Sequence, residues 1–444
     1  MTRTRRDEAT GALLSFATCL HEMRTSELGE AAMRVVREVC GVAWTRLPGS
    51  QGEHAAQAHL AGKFRELGAD DVQVRRFSVH AKFFLWWPRL SVLFFLASVA
   101  AYPFFPLLAL ALAACVVLNL YFKIFSYRAF DVLFPAVPSC NVVARLQPRE
   151  GTKRVVLLGG HVDSNYEYPI SRRWGASGFV KAVVPAFAAM AFWLLAAAAR
   201  FVLSTLVSRE GLVVSTGAAL GVVTRPDAFF VAALACLPYV LWLGFSVVHN
   251  LPVAGANDDL SGVAVVVTAL AHFADPANRP RHVELWVVSF GSEEGGMMGS
   301  KAMAADVRRA LDKGALPVDG RTFWVVNFDS VGANGPLHVA TREPMYRVKA
   351  YSPEVYEQLA ASAEATGVDV VVKPLSVGGT DSAPFARLGI PASAVLCFGD
   401  GTNPPNWHTR EDVPDNVDPR GLENAVKLAI QFVRDVDDHA SVTR

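Results

Sequence analysis

Hydrophobic and polar positions follow two different patterns along the chain, each confined to its own segments. In the first, short runs of Val, Leu and Phe such as 154–159 and 283–290 alternate with longer stretches whose apolar residues recur at helical spacing. Strands that alternate with helices are typical of α/β proteins. This pattern predicts a three-layer αβα sandwich with a central mixed sheet, built from the segments 1–82, 126–175 and 251–444.

The elements predicted within these segments follow from the two periodicities. Helices are predicted over 7–45, 54–67, 263–273, 299–313, 353–366 and 419–436. Strands are predicted over 72–79, 139–146, 154–159, 283–290, 322–328, 368–373 and 390–398. No internal repeat and no low-complexity tail interrupts them.

The second pattern is an uninterrupted apolar stretch, first seen in the segment 83–125. No charged residue occurs from 90 to 122, which exceeds the roughly 20 residues needed to cross a bilayer. Pro103 and Pro106 lie in the middle, where a hairpin would turn, and Trp86 and Tyr121 lie near the ends, where interfacial aromatics occur. We predict two transmembrane helices near 83–102 and 104–123; a buried core hairpin is the alternative.

A second apolar insertion is predicted over 176–250. The stretches 182–199 and 228–248 are uncharged, and the second is long enough to cross a bilayer. The apolar stretch 211–224 is too short to span and would be re-entrant or interfacial. We therefore predict two more spanning helices, which makes about four in an integral, multi-pass membrane protein.

Composition narrows the range of partners and compartments. The net charge is +1, so nothing indicates a nucleic acid or a generally acidic partner. Hydrophobic residues make up 52 % of the chain and are concentrated in the two insertions, which predicts the lipid bilayer as a partner. The six cysteines are scattered without a Cys-x-x-Cys pair, which argues against a disulfide scaffold. The start of the chain has no strong secretory signal pattern.

Candidate chemistry clusters in short polar motifs at the ends of predicted elements. The turn 255–262 places Asp258 and Asp259 before an apolar helix, where an ordinary helix N-cap is the alternative interpretation. The other motifs contribute further imidazole and carboxylate side chains, all of types that bind Zn²⁺: His161, Asp163, Glu293, Glu294, Asp329 and His408. This set predicts a two-zinc site, in which one carboxylate must bridge ions roughly 3.5–4 Å apart. Asp258 is the candidate for that bridge.

Two pairs within the set have spacings with a chemical meaning. Asp163 follows His161 by two residues, so its carboxylate can fix the second ring nitrogen of a metal-binding histidine. Glu293 and Glu294 are adjacent at a predicted strand end, where one can face a metal and the other a substrate. An exposed, solvated face is the alternative for such a pair.

Together and in this order, the motifs closely resemble the two-zinc aminopeptidase family that includes aminopeptidase Y and the bacterial leucyl aminopeptidases. The same family includes the glutaminyl cyclases and the peptidase-like domain of the transferrin receptor. The segments 47–53 and 379–385 also look like the family's, and the resemblance covers nearly all of the chain outside the two insertions. It implies the zinc exopeptidase fold and two Zn²⁺ ions per chain. Soluble members of the family lack the two insertions.

The resemblance also implies a role for each residue of the set. Five residues would be metal ligands: His161, Asp258, Glu294, Asp329 and His408. His161 and Asp329 would hold one zinc, Glu294 and His408 the other, and Asp258 would bridge them. Asp163 would orient His161. Glu293 would be the general base that takes a proton from the attacking water and passes it to the leaving amine.

These inferences predict a membrane-anchored zinc aminopeptidase that acts on peptides with a free N-terminus. Two alternatives stay open: a glutaminyl-cyclase-like acyltransferase with one working zinc, and a non-catalytic receptor or scaffold module. Because candidate ligands precede and follow the second insertion, it must cross the membrane an even number of times. An excess of Lys and Arg beside the catalytic segments predicts a cytoplasmic catalytic domain. The preferred N-terminal residue and the oligomeric state are left open.

Overall fold

The structure, a computed structural model, describes most of the chain in two units. The described residues are 25–124, 130–210, 228–344, 350–375, 378–399, 401 and 403–442. The predicted stretch 211–224 and the first part of the predicted helix 7–45 lie outside them. We call Met1–Ala81, Ala136–Asn165 and Pro252–Arg444 the sheet unit, and Lys82–Pro135 and Tyr166–Leu251 the apolar unit.

A mixed sheet of eight described strands forms the centre of the sheet unit. The strands are β1 (Asp71–Val79), β2 (Val137–Leu146), β3 (Arg154–His161), β4 (Val283–Phe290), β5 (Phe323–Asp329), β6 (Leu337–Ala340), β7 (Val370–Lys373) and β8 (Ala392–Cys397). Their order is β1-β2-β4-β3-β5-β8-β6-β7. The four central strands β4, β3, β5 and β8 are parallel, whereas β2 pairs with β4, and β6 with β8, in the antiparallel sense.

Helices cover both faces of this sheet. The described α-helices are α1 (Thr25–Val42), α2 (Gln51–Glu66), α3 (Ala81–Ala101), α4 (Pro106–Ile124), α5 (Pro169–Glu210), α6 (Ala228–Ser246), α7 (Leu260–Ala274), α8 (Met298–Asp312), α9 (Pro353–Thr366), α10 (Ala383–Arg387) and α11 (Pro419–Val442). One buried core joins α1, α2, α7, α9 and α11 to the sheet, and a second joins α8 and α10 to it. The predicted αβα sandwich with a mixed sheet is therefore confirmed.

The sequence missed one strand of the sheet. β6 has only four residues, Leu337–Ala340, and too few positions to show an alternating pattern. All four are buried, and the strand carries β7 at the edge of the sheet. The strands predicted over 72–79, 283–290 and 322–328 occur within one residue of their predicted bounds.

The apolar unit consists of α3 to α6. Among the described residues, two helical segments are long and apolar enough to cross a membrane, Lys181–Ser204 within α5 and Ala228–Ser246. Two further segments, Leu85–Ala101 and Pro106–Tyr121, are apolar but shorter. Gly175, with φ 66°, breaks α5 before its apolar part begins.

Large apolar side chains lie on the outside of this unit, and several of its few buried polar groups are hydrogen-bonded inside it. Leu195 is 70 % exposed. Inside, Trp193 Nε1 donates to Ser98 Oγ, which in turn donates to the carbonyl of Ala109. Asn119 Nδ2 donates to Ser91 Oγ. An interior that pairs several of its polar groups beneath an apolar exterior suits helices surrounded by hydrocarbon.

Candidate metal centre

The candidate site forms where the central parallel strands end. His161 is the last residue of β3, Asp329 is the last residue of β5, and the Glu293–Glu294 pair follows β4. Because parallel strands end at the same edge of a sheet, these three segments converge there. Asp258 precedes α7 and His408 lies in the loop before α11.

The five predicted ligands come together as two groups that share Asp258. Nitrogen and carboxylate oxygen atoms of His161, Asp258 and Asp329 lie within 4.8 Å of one another, and so do those of Asp258, Glu294 and His408. His161 Nε2 is 3.3 Å from Asp258 Oδ1, and His408 Nε2 is 3.1 Å from Asp258 Oδ2. The two oxygens of one carboxylate therefore face the two histidines, as a bridging ligand requires.

Two oxygens in the second group lack hydrogen bonds although nitrogen is close. Asp258 Oδ2 and Glu294 Oε1 are buried without a hydrogen-bond partner among the described residues. His408 Nε2 nevertheless lies 3.1 Å from the first and 2.9 Å from the second. Buried carboxylate oxygens normally accept hydrogen bonds, and leaving them unpaired is costly. A cation between these atoms would satisfy them, so the residues present fit Zn²⁺, which prefers imidazole and carboxylate ligands.

The shifted pKa values of these side chains also indicate a cluster that would be stabilised by a bound cation. Burial raises the pKa of Asp329 to about 7, and the nearby Asp258 carboxylate adds to the rise. Burial opposes the charged form of His408, but Glu294 and Asp258 raise its pKa to about 9. Burial also opposes ionisation of Asp258, yet His161 and His408 lower its pKa overall. Such a cluster holds protons in place of cations, and a divalent ion would displace them.

Asp163 lies beside His161, as predicted, and also contacts the glutamate pair. The nearest partner of His161 Nδ1 on this residue is its backbone carbonyl, at 3.1 Å, while the carboxylate oxygen is 3.5 Å away. The carboxylate instead accepts the backbone N–H groups of Glu293 and Glu294, both at 2.9 Å. Asp163 thus contacts His161 and also fixes the backbone of the glutamate pair.

Glu293 lies at the edge of the cluster, as a proton-transfer group should. Its Oε2 is 3.9 Å from His161 Nε2, and its side chain stays 11 % exposed. Burial raises its pKa well above the ordinary glutamate value, and His161 partly counteracts this. A raised pKa is typical of carboxylates that both accept and donate a proton.

Two further carboxylates support the backbone of the ligand segments, and one of them, Asp412, was not predicted from the sequence. Asp259 Oδ1 accepts from the backbone N–H of Gly262 and Ser330, and its Oδ2 accepts from that of His161. Asp259 is therefore the N-cap of α7, which was the alternative interpretation of the turn 255–262. Asp412 accepts from the backbone N–H of Asp258 at 3.1 Å.

A buried arginine ties two of the ligand loops to the first helices. Arg46 is fully buried, and its Nε donates to the carbonyl of Val162 at 2.6 Å. Its Nη2 donates to the carbonyl of Gly255 at 2.9 Å. These bonds hold the loop after His161 against the turn before Asp258, across more than a hundred residues of sequence.

Asn165 is the unpredicted residue closest to the ligands. Its Nδ2 donates to Glu294 Oε2 at 2.6 Å and lies 3.1 Å from His408 Nε2. Glu294 Oε1 is the oxygen that faces His408 at 2.9 Å. Asn165 thus holds one oxygen of this carboxylate and leaves the other for an ion. It follows Asp163 by two residues, and only this short distance in the sequence pointed to it.

Comparisons with known proteins agree with this geometry. Residues 243–433 match Peptidase family M28. A comparison with curated proteins finds no match. The zinc aminopeptidase BSAP from Bacillus subtilis is 14 % identical, with a TM-score of 0.53, covering 92 % of this chain and 95 % of its own.

Two further solved structures share the fold. The aminopeptidase from Aneurinibacillus sp. strain AM-1 is 15 % identical with a TM-score of 0.51, covering 92 % of this chain and 93 % of its own. The Acidobacteriales bacterium glutaminyl cyclase is 14 % identical with a TM-score of 0.51, covering 93 % and 95 %. The family match and the shared fold confirm the resemblance to the two-zinc aminopeptidase family and its glutaminyl cyclase relatives that the sequence motifs indicated.

Proposed function

We propose that the chain is a membrane-anchored, zinc-dependent aminopeptidase that removes the N-terminal residue of peptides. The observation that carries the proposal is the pair of ligand groups that share Asp258, one with His161 and Asp329 and the other with Glu294 and His408. Two metal sites joined by one carboxylate suit hydrolysis, in which attacking and leaving groups are both stabilised. The match of residues 243–433 to Peptidase family M28 supports the same reaction class.

Each residue around the ligands is proposed to have its own role in the reaction. When bound, zinc supplies Lewis acidity that polarises the scissile carbonyl and makes water more acidic. Glu293 takes the proton of the attacking water and then donates it to the departing amine. Asp163 Oδ1 accepts a hydrogen bond from the backbone N–H of Glu293 at 2.9 Å, which fixes the backbone of this base beside the ligands. The free α-amine of the substrate is part of the recognition, so N-acetylated peptides should be inert.

The apolar unit is proposed to hold the enzyme in a bilayer through about four crossings, two in each insertion. The two helical segments of sufficient length and the exposed apolar side chains of α3 to α6 support this. The excess of Lys and Arg in the segments that join these helices to the sheet unit supports a cytoplasmic catalytic side. A reporter cysteine near Gly401 should then resist labelling from outside intact cells, and ready labelling would contradict the orientation.

Metal analysis tests the bridge. The detergent-purified chain should contain about two zinc ions, as two sites joined by one carboxylate require. Asp258→Asn should lower occupancy at both sites because both share its oxygens, whereas His408→Ala should empty mainly one. Full occupancy in Asp258→Asn would show that the bridge is assigned to the wrong residue.

A peptide assay followed by mass spectrometry separates hydrolysis from cyclisation. The purified protein is offered peptides that begin with Leu, Ala or Gln, together with N-acetylated copies as controls. Loss of a whole residue from the unblocked peptides is the expected result. Loss of ammonia from the Gln peptide alone, with the others untouched, would replace the peptidase with a cyclase. No change in any peptide from metal-loaded protein would favour a non-catalytic module.

A further inference from the structure

The apolar unit contains a cleft that its own side chains do not fill. The cleft is an open groove formed by α3, α5 and α6 with the end of α4, and its space of about 430 Å³ includes open solvent. Its walls are almost entirely apolar and include Val92, Ala186, Met190 and Leu243. We call this space the apolar cleft. A groove lined by apolar side chains is a more favourable place for hydrocarbon than for water.

Close packing of two helices forms one side of the cleft. A Cβ atom on Gly244 of α6 would lie 2.2 Å from Val92 Cγ2 of α3, so only glycine allows this approach. The hydroxyl of Ser91, which also lines the cleft, donates to the carbonyl of Trp87 and accepts from Asn119. The side-chain hydroxyl is therefore already paired and offers little to a ligand.

One polar group at the cleft lacks a partner. The indole N–H of Trp87 is buried and has no hydrogen-bond acceptor among the described residues. An unpaired buried donor is costly, so a ligand that brings an acceptor to this point gains a hydrogen bond that the protein cannot make itself. Hydrocarbon alone supplies no acceptor, whereas the ester carbonyl of a glycerolipid does.

Positive charge lies at the same end of the helices. Lys82 precedes Trp87 by five residues in α3, or about 7 Å along the axis at 1.5 Å per residue. Lys181 precedes the cleft residue Val183 by two positions in α5. Both lysines are exposed. Cationic side chains just outside an apolar span attract anionic headgroups.

Together, the apolar walls, the unpaired N–H donor and the two lysines match a ligand with a hydrocarbon chain, a hydrogen-bond acceptor and an anionic group. We infer that the apolar cleft binds an acyl chain of an anionic glycerophospholipid, with an ester carbonyl accepting from Trp87 and the headgroup near Lys82 and Lys181. The inference rests on the proposed insertion of the apolar unit into a bilayer. The lipid would complete the packing of α3, α5 and α6.

Photolabelling tests the cleft directly. The full-length protein in phosphatidylglycerol nanodiscs carries a tracer phospholipid with a diazirine on its acyl chain, and adducts are mapped by mass spectrometry. Adducts should appear on peptides of α3, α5 and α6 that line the cleft. Ala186→Leu, which fills the cleft, should reduce them at least fivefold. Ala188→Leu, exposed on the same helix, is the matched control and should not.

Two further arms test the polar parts of the assignment. Trp87→Phe keeps the ring and removes the donor, and should weaken retention of the lipid roughly fivefold, the size of one hydrogen bond. Phosphatidylglycerol should displace the tracer better than phosphatidylcholine, and Lys82→Ala with Lys181→Ala should abolish that preference. Equal displacement by both lipids in the parent protein would overturn the anionic assignment.

The possible outcomes distinguish failure of the lipid site from failure of the proposed membrane insertion. If the parent protein does not float with vesicles, membrane insertion and the lipid site both fail. If it floats and Ala186→Leu labels the cleft as strongly as Ala188→Leu, only the lipid site fails. Flotation and peptidase activity of Ala186→Leu confirm that the variant is folded.

Discussion

Helices α7 and α6 are both apolar and uncharged, yet they lie in opposite surroundings. In α7 every residue is buried except His272 and Ala274, because the sheet covers one side and other helices cover the rest. In α6 only Ala233, Val240, Leu243 and Gly244 are buried. Hydropathy alone therefore does not distinguish a helix buried in a core from one whose apolar side chains are mostly exposed. Exposure in the folded chain does.

The sheet unit and the apolar unit also differ in how many polar groups they bury. The sheet unit buries carboxylates such as Asp258, Asp259 and Glu294 and gives each of them a separate task. The apolar unit buries few polar groups, and Ser98 and Asn119 are bonded to neighbouring helices or turns. Buried charge marks the candidate metal centre of the sheet unit, and exposed hydrocarbon marks the apolar unit.

The largest expected effect concerns the division of tasks in the Glu293–Glu294 pair. Glu293→Gln should keep both metals and lose about 10²–10⁴-fold in kcat, the usual cost of removing a general base. Glu294→Gln should lose metal, because Glu294 Oε1 faces His408 and Asn165 holds the other oxygen. Elemental analysis and steady-state rates on the two matched variants decide. The reverse pattern would mean that the two glutamates have exchanged tasks.

Much of the sheet unit could be predicted from local sequence. Strand and helix periodicities located β1, β4, β5 and α9 closely, and the polar motifs pointed to Asp258 and to all four residues that the structure gathers around it. The order of the motifs carried this information, since parallel strands that end together bring distant motifs to one place.

Contacts between residues far apart in the sequence could not be predicted in the same way. The carboxylate of Asp163 accepts from the backbone of Glu293 and Glu294, some 130 residues away, and no local pattern indicates this. The bonds from Arg46 to Val162 and Gly255 are equally remote in sequence. Strand β6 was missed for a different reason, because four residues give too short a pattern.

A second prediction tests whether the exterior of the apolar unit faces lipid. Leu195 and Leu203 are both exposed in the segment Lys181–Ser204, the first near its middle and the second near its end. Leu195→Lys should disfavour membrane insertion by about 3 kcal/mol, since a central lysine costs about 2.5–3.5 kcal/mol on the biological scale. Leu203→Lys should cost far less because its long side chain reaches the interface.

Insertion of the 181–204 segment in a translocation reporter measures both variants. The two substitutions are chemically identical and differ only in depth, so each serves as the control for the other. In a water-exposed helix both changes would be tolerated equally. Equal insertion of the two variants would therefore place this surface of α5 in water and remove the contrast between the apolar unit and α7.

The smallest expected effect tests how closely the ligands of the sheet unit depend on their neighbours. Asn165→Ala removes the donor to Glu294 Oε2, which is buried and has its other oxygen directed to the metal side. Loss of such a supporting hydrogen bond typically weakens metal binding by 10–100-fold. The weakening should affect only the site of Glu294 and His408, because Asn165 donates to neither His161 nor Asp329 in the described residues.

Stepwise removal of zinc by a chelator, followed by elemental analysis, resolves the two sites. Asn165→Ala should release its first zinc at a lower chelator concentration than the parent protein and its second at the same concentration. Asn416→Ala, an exposed asparagine that donates to the carbonyl of Glu411, is the control and should match the parent in both steps. A general loss of structure would shift both steps together, so a shift confined to one step identifies Asn165 as a positioning residue for Glu294. Unchanged release in both steps would show that Glu294 is held well enough by His408 and the ion, and that buried polar groups in this unit are less interdependent than the geometry indicates.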